Sequence, residues 1–86
     1  MLVDHHCHLD FPEFQSDLDG VVARAHRAGV GLMVTISTRI RQFDKIKAVA
    51  ERYDSVYCSV GTHPHNADDE RDVPLQAILD GAKHPK

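Results

Sequence analysis

The sequence predicts an α/β fold built on a parallel sheet, and three observations predict it. Leu2 to Leu9, Val30 to Ser37 and Val56 to Gly61 are short runs rich in apolar and β-branched residues, the length and composition of strands. Stretches with apolar residues at helical spacing separate them, and a further one follows the last. The resulting order, β-α-β-α-β-α, makes the strands parallel with right-handed crossovers. That is the unit of both doubly wound sheets and (β/α)₈ barrels.

After the first strand, Ser16 to Ala28 carries Leu18, Val21, Val22, Ala25 and Ala28 on one face. Asp17 and Asp19 stand early and Arg24 and Arg27 late, the charge order that suits the helix dipole, and Gly29 supplies the stop. After the second strand, Phe43, Ile46, Val49, Ala50 and Tyr53 form the stripe of a second helix, with Ser37 or Thr38 available as its N-cap. A polar loop, His63 to Asp72, leaves the third strand. Pro74 then opens a short helix marked by Leu75, Ile78, Leu79 and Ala82, which Gly81 to Pro85 ends.

Composition narrows the function classes. The 86 residues are 42% hydrophobic and 27% charged, with a formal net charge of -3, which suits an ordinary folded domain rather than a disordered one. No basic stripe of the kind that grips nucleic acid is present. No apolar run approaches the roughly 18 residues that span a membrane, and Met1 to Asp10 lacks the pattern of a signal peptide, so the expected location is the cytoplasm. Cys7 and Cys58, far apart and without a CxxC spacing, read as reduced core thiols.

The chemistry concentrates in the histidines, of which there are seven. His6 and His8 are two apart on a strand, so the period of two puts both rings on one face, where one metal ion reaches both. Asp4 is placed to orient a ligating ring from behind, and Asp10 follows directly. His5 and Cys7 face the other way, toward the helices. Gly61-Thr62-His63-Pro64-His65-Asn66 forms a second constellation at the end of the third strand. Gly61 allows a tight exit and Pro64 restrains the loop, holding His63 and His65 at the same rim to donate to a phosphate, shuttle a proton or complete a metal site. Asp68, Asp69 and Glu70 read as a solvated acidic run, and His26 and His84 as surface residues.

These residues carry a resemblance. Val3-Asp4-His5-His6-Cys7-His8-Leu9-Asp10 and Gly61-Thr62-His63-Pro64-His65, together with Glu13-Phe14, Asp17-Leu18 and Ala28-Gly29-Val30 between them, resemble the opening of the TatD-like deoxyribonucleases of the metal-dependent hydrolase superfamily. Position 5 departs modestly, since that family usually has a small polar residue there. The resemblance implies the first three βα units of a (β/α)₈ TIM barrel, with residues 1–86 forming the N-terminal part of a single, truncated hydrolase domain. It implies a divalent-metal phosphodiesterase acting on DNA, often from the 3′ end, with His6 and His8 on metal and His63 at the substrate, where the placement of the loop adds His65. Two metal ions, drawn from Mg, Mn or Zn, are expected in the complete enzyme.

The family's later ligands are a glutamate on the next strand, two further histidines and a late aspartate. None has a counterpart within the 86 residues, so no residue of this chain is assigned the catalytic role, and the isolated chain is expected to be inactive and prone to associate through exposed strand edges. Arg39 and Arg41 are available for phosphate contacts, and no protein partner is implied. Two alternatives stay open: a related amidohydrolase acting on a small amide or ester, and a non-catalytic truncated product.

Overall fold

The computed structural model describes residues 1–86. Its order is β1 (Leu2–Cys7), α1 (Leu18–Arg27), β2 (Val30–Thr35), α2 (Phe43–Arg52), β3 (Val56–Cys58) and α3 (Leu75–Ala82). The three strands form one sheet in the order β1-β2-β3, both pairs parallel. This is the predicted alternation.

Apolar side chains explain why the helices lie where they do. Leu18 and Val22 of α1 and Val49 and Ala50 of α2 pack with Met33 and Val56 of the sheet, and with Leu9, into one buried cluster. Ile46, also of α2, is 1% exposed. Gly29 ends α1 at φ +96°, a conformation that costs glycine little and any residue with a Cβ more. His26 lies on the surface as expected, yet both its ring nitrogens are engaged, Nδ1 with the Val30 carbonyl at 3.0 Å and Nε2 with the Ser55 hydroxyl at 2.9 Å.

Boundaries differ from the sequence expectation in physically informative ways. α1 begins at Leu18 because Pro12–Asp17 forms a 3₁₀ helix that Pro12 opens. Neither Ser37 nor Thr38 caps α2; a 3₁₀ turn, Ile40–Gln42, intervenes, and Gln42 is the residue before the helix. The strands are shorter than the apolar runs, since pairing with β2 stops at Cys7 on one side and at Cys58 on the other.

The sheet is covered unevenly. Leu2, 63% exposed, and Val3 on β1, with Tyr57 on β3, face solvent, as do Leu75 and Leu79 of α3. His5 is likewise exposed rather than packed beneath helices, whereas Cys7 lies against the core. At the far edge, the Cys58 N–H donates to the Lys86 carbonyl at 2.9 Å, the place a further parallel strand takes. The Lys86 ammonium meanwhile donates to the carbonyls of Ala50 and Tyr53, each at 2.6 Å, satisfying the C-terminal end of α2. His84, expected on the surface, is half-buried because it packs beside Glu51 and accepts from the Lys86 N–H.

Candidate metal and phosphate site

Both histidine constellations lie at the C-terminal ends of their strands, where α/β proteins place their sites. β1 reaches that end irregularly. The register against β2 slips between Asp4 and Cys7, so the strand bulges where His5 and His6 stand. Asp4 supports the bulge: its carboxylate accepts from the His6 N–H at 3.1 Å. One Asp4 oxygen thus meets backbone, and no hydrogen bond joins the carboxylate to an imidazole. Bulges of this kind re-aim side chains beside functional sites.

The outcome is that His6 and His8 stand side by side, ring centroids 5.3 Å apart and nearly perpendicular. His8 also stacks on Phe11 at 4.5 Å, which fixes the plane of its ring. Just beyond, the Leu9 N–H donates to the hydroxyl of the fully buried Thr35 at 3.0 Å, anchoring the end of the strand to β2. Two polar atoms are left over: Nδ1 of His8 and one carboxylate oxygen of Asp10 are buried without a hydrogen-bond partner. A buried lone pair without a donor is costly unless a ligand meets it.

The β3 end is ordered differently. Gly61 leaves the strand at φ +154°, a region that favours glycine. The His63 N–H donates to the Thr38 carbonyl at 2.9 Å, and the Asn66 amide donates to the same oxygen at 3.3 Å. Ser37 donates its hydroxyl to the Gly61 carbonyl at 2.7 Å. Within the loop, the His65 N–H donates to Nδ1 of His63 at 3.1 Å. That bond has a chemical consequence. With Nδ1 accepting, the ring proton of His63 sits on Nε2, so the side chain offers a donor to whatever lies in front of it.

The two ends meet. His8, Phe11, Thr38, His63, His65 and Asn66 line one open cleft of about 340 Å³. Sequence reasoning brought out the three histidines of this cleft and set Asn66 in the same constellation, but it gave Thr38 only a capping role and did not single out Phe11, whose residue type gives no signal of its own. No three of the His, Cys, Asp and Glu side chains converge on one point. The residues therefore fit part of a divalent-metal site: two adjacent imidazoles, one with an unmatched buried nitrogen, and no third ligand within the chain.

Two further expectations change. Glu70, read as part of a solvated run, is 6% exposed and turned inward, because its carboxylate accepts from the N–H groups of Ile40 at 2.6 Å and Arg41 at 3.0 Å and from the Thr62 hydroxyl at 2.7 Å. Burial pushes its carboxyl up, but these hydrogen bonds and the Arg41 charge outweigh that and hold it below the usual carboxylate range. Arg39 and Arg41, read as available for phosphate, each hold an exposed ion pair, Arg39 with Asp69 at 3.2 Å and Arg41 with Asp72. Burial, then the charges of Asp4 and Asp10, push the Cys7 thiol up to about 11.

Comparison with known proteins identifies the family. The profile described as TatD related DNase matches residues 3–86. The chain belongs to the TatD-related DNase family. It is 37% identical over 76 residues to the metal-dependent hydrolase YjjV of Escherichia coli K12, covering 88% of this chain and 29% of that protein. Against the human deoxyribonuclease TATDN3 the identity is 39% over 81 residues, covering 90% of this chain and 30% of the relative. Against the 3′-5′ ssDNA/RNA exonuclease TatD of Escherichia coli K12 it is 31% over 78 residues, covering 91% and 30%. The crystal structure of YjjV superposes with a TM-score of 0.86 at 34% identity, over 95% of this chain and 32% of that one. The chain thus spans about a third of the length of its TatD-related relatives, and its three βα units are the opening of an incomplete TIM barrel. No helix is long and apolar enough to cross a membrane.

Proposed function

We propose that this chain is the N-terminal segment of a divalent-metal-dependent nuclease that cleaves DNA phosphodiester bonds, His6 and His8 holding metal and His63 and His65 meeting the phosphate. The observation that carries the reading is the shared cleft: His8, with its unmatched buried nitrogen, and His63, with its Nε2–H donor, line the same opening at the strand ends.

In this reading His6 and His8 supply neutral nitrogens suited to zinc, while carboxylates from outside the chain complete the set and admit magnesium or manganese; two ions are expected. When bound, such ions generate a nucleophilic water at neutral pH and neutralise charge on phosphoryl oxygens. The chain's own residues do the rest. Phe11 holds the His8 ring in one plane, Thr38 holds the His63 backbone, and His63 donates from Nε2 to a phosphoryl oxygen. His65, exposed beside it with ring centroids 4.7 Å apart, extends the donor surface along the loop. Without a third ligand the 86-residue chain by itself binds metal weakly and does not turn over DNA.

The test uses the whole product of the gene that carries these residues. Single-stranded and duplex DNA labelled at either end is supplied with Mg, Mn or Zn, alongside a panel of small amides and lactones. Metal-dependent shortening from the 3′ end, abolished in His6→Ala and His8→Ala, is expected. Full activity in those two variants, or turnover of the amides alone, overturns the reading.

A further inference from the structure

We propose that Glu70 is the positioning residue of this cleft: its buried carboxylate holds the His63 loop and the Thr38 loop at a fixed separation while touching nothing that enters between them. The inference rests on the reading of the cleft as a phosphate site.

The geometry carries it. A single carboxylate oxygen, Oε1, accepts from both the Ile40 N–H and the Thr62 hydroxyl, so one atom bridges the segment after β2 and the segment after β3. The other oxygen accepts from the Arg41 N–H. Thr62 directly precedes His63, and Ile40 lies two residues beyond Thr38. Four of the six residues lining the cleft, Thr38, His63, His65 and Asn66, therefore belong to the two segments that Glu70 ties together.

Charge and burial argue that this tie serves position. Asp68, Asp69 and Arg71 around Glu70 stay exposed, and Arg71 pairs with Asp68 at 2.7 Å; Glu70 alone turns in. Burying a carboxylate is costly unless it is fully hydrogen-bonded, and an apolar side chain would fill the same space without that cost. What an apolar side chain lacks is direction. Three directed bonds define where Thr62 sits relative to Ile40, and through Thr62 they define where the Nε2–H of His63 points. Arg41, engaged with Asp72 and with the Asp69 carbonyl at 2.6 Å, ties the far end of the acidic run to the same segment.

The experiment follows the histidine ring ¹⁵N signals of the 86-residue chain while inorganic phosphate is titrated into wild type, Glu70→Gln and Glu70→Ala. Gln keeps an acceptor for Ile40 and Thr62 but sets an NH₂ against the Arg41 N–H, so it serves as the conservative variant. In wild type, phosphate moves the His63 and His65 signals. Glu70→Ala is expected to weaken that response about tenfold, the worth of one charge-assisted hydrogen bond, and Glu70→Gln by less, with His6 and His8 signals unmoved in both. If Glu70→Ala does not fold, Glu70→Gln decides. Unchanged phosphate affinity and unmoved His63 signals in the variants overturn the inference, as does an equal disturbance of His6 and His8, which marks a general loss of structure. Should phosphate leave wild type unaffected, the phosphate reading of the cleft is what fails. The inter-ring contacts of His63 then decide for Glu70, kept if they change in Glu70→Gln and refuted if they do not.

Discussion

The ends of β1 and β3 carry the same residue type to the same rim, yet they are finished to different degrees. At the β3 end the backbone and the buried carboxylate find partners within the chain: Thr38 receives His63 and Asn66, Ser37 meets Gly61, and Glu70 closes the two loops over three bonds. At the β1 end the strand bulges, His6 is exposed, and a His8 nitrogen and an Asp10 oxygen are buried with nothing opposite them. Satisfied polar groups rigidify a loop, whereas a buried polar atom left without a partner is costly. The contrast separates a loop whose polar groups are met within the chain from a strand end that leaves a His8 nitrogen and an Asp10 oxygen unmet, the end that the proposed reading gives to metal.

If that contrast is real, the largest loss of stability comes from the satisfied end. Glu70→Ala strands two part-buried backbone donors and the Thr62 hydroxyl, and about 3 kcal/mol of stability is expected to go, roughly 12 to 24 °C in Tm for a domain of this size, read by thermal melting. Thr62→Ala removes one of those bonds and costs about 1 kcal/mol. At the other end, His8→Ala gives up the stack on Phe11 but also an unmatched nitrogen, so a change within about 0.5 kcal/mol is expected. A His8→Ala loss as large as that of Glu70→Ala would erase the distinction.

Acid sharpens the comparison from another side. The Glu70 carboxyl titrates lower in the folded chain than in the unfolded one, so the folded state holds the proton less readily. The stability it contributes is therefore complete above the unfolded value, near 4.3, and is lost as pH falls through the folded value. Between about pH 5 and pH 3, denaturant melts of wild type are expected to lose more stability than those of Glu70→Gln. Equal losses would mean the carboxylate is not held as its hydrogen bonds indicate.

How much of this was legible in the sequence follows from what periodicity reports. The alternation of strands and amphipathic helices was, because Leu18, Val22, Val49 and Val56 must repeat at the spacing of their own element to reach a common core. So was the adjacency of His6 and His8, since residues two apart at a strand end lie on one side of it. The bond from the His6 N–H to Asp4 was not legible, because the bulge that uses it depends on pairing with β2. Glu70 was illegible for a further reason. Nothing in Asp68-Asp69-Glu70 distinguishes the carboxylate that turns inward, and its partners, Ile40 and Arg41, lie 30 and 29 residues away. The same holds for Lys86, whose ammonium finishes a helix that ends more than thirty residues earlier.

The measurement that bears most directly on the central claim is a zinc titration of the ¹⁵N-labelled 86-residue chain, following each histidine ring separately. The account predicts that His6 and His8 respond first and together, with weak affinity for want of a third ligand, and that His6→Ala removes the response of both. Zinc binding first at His63 and His65, or no response at His6 and His8 at millimolar zinc, would contradict it.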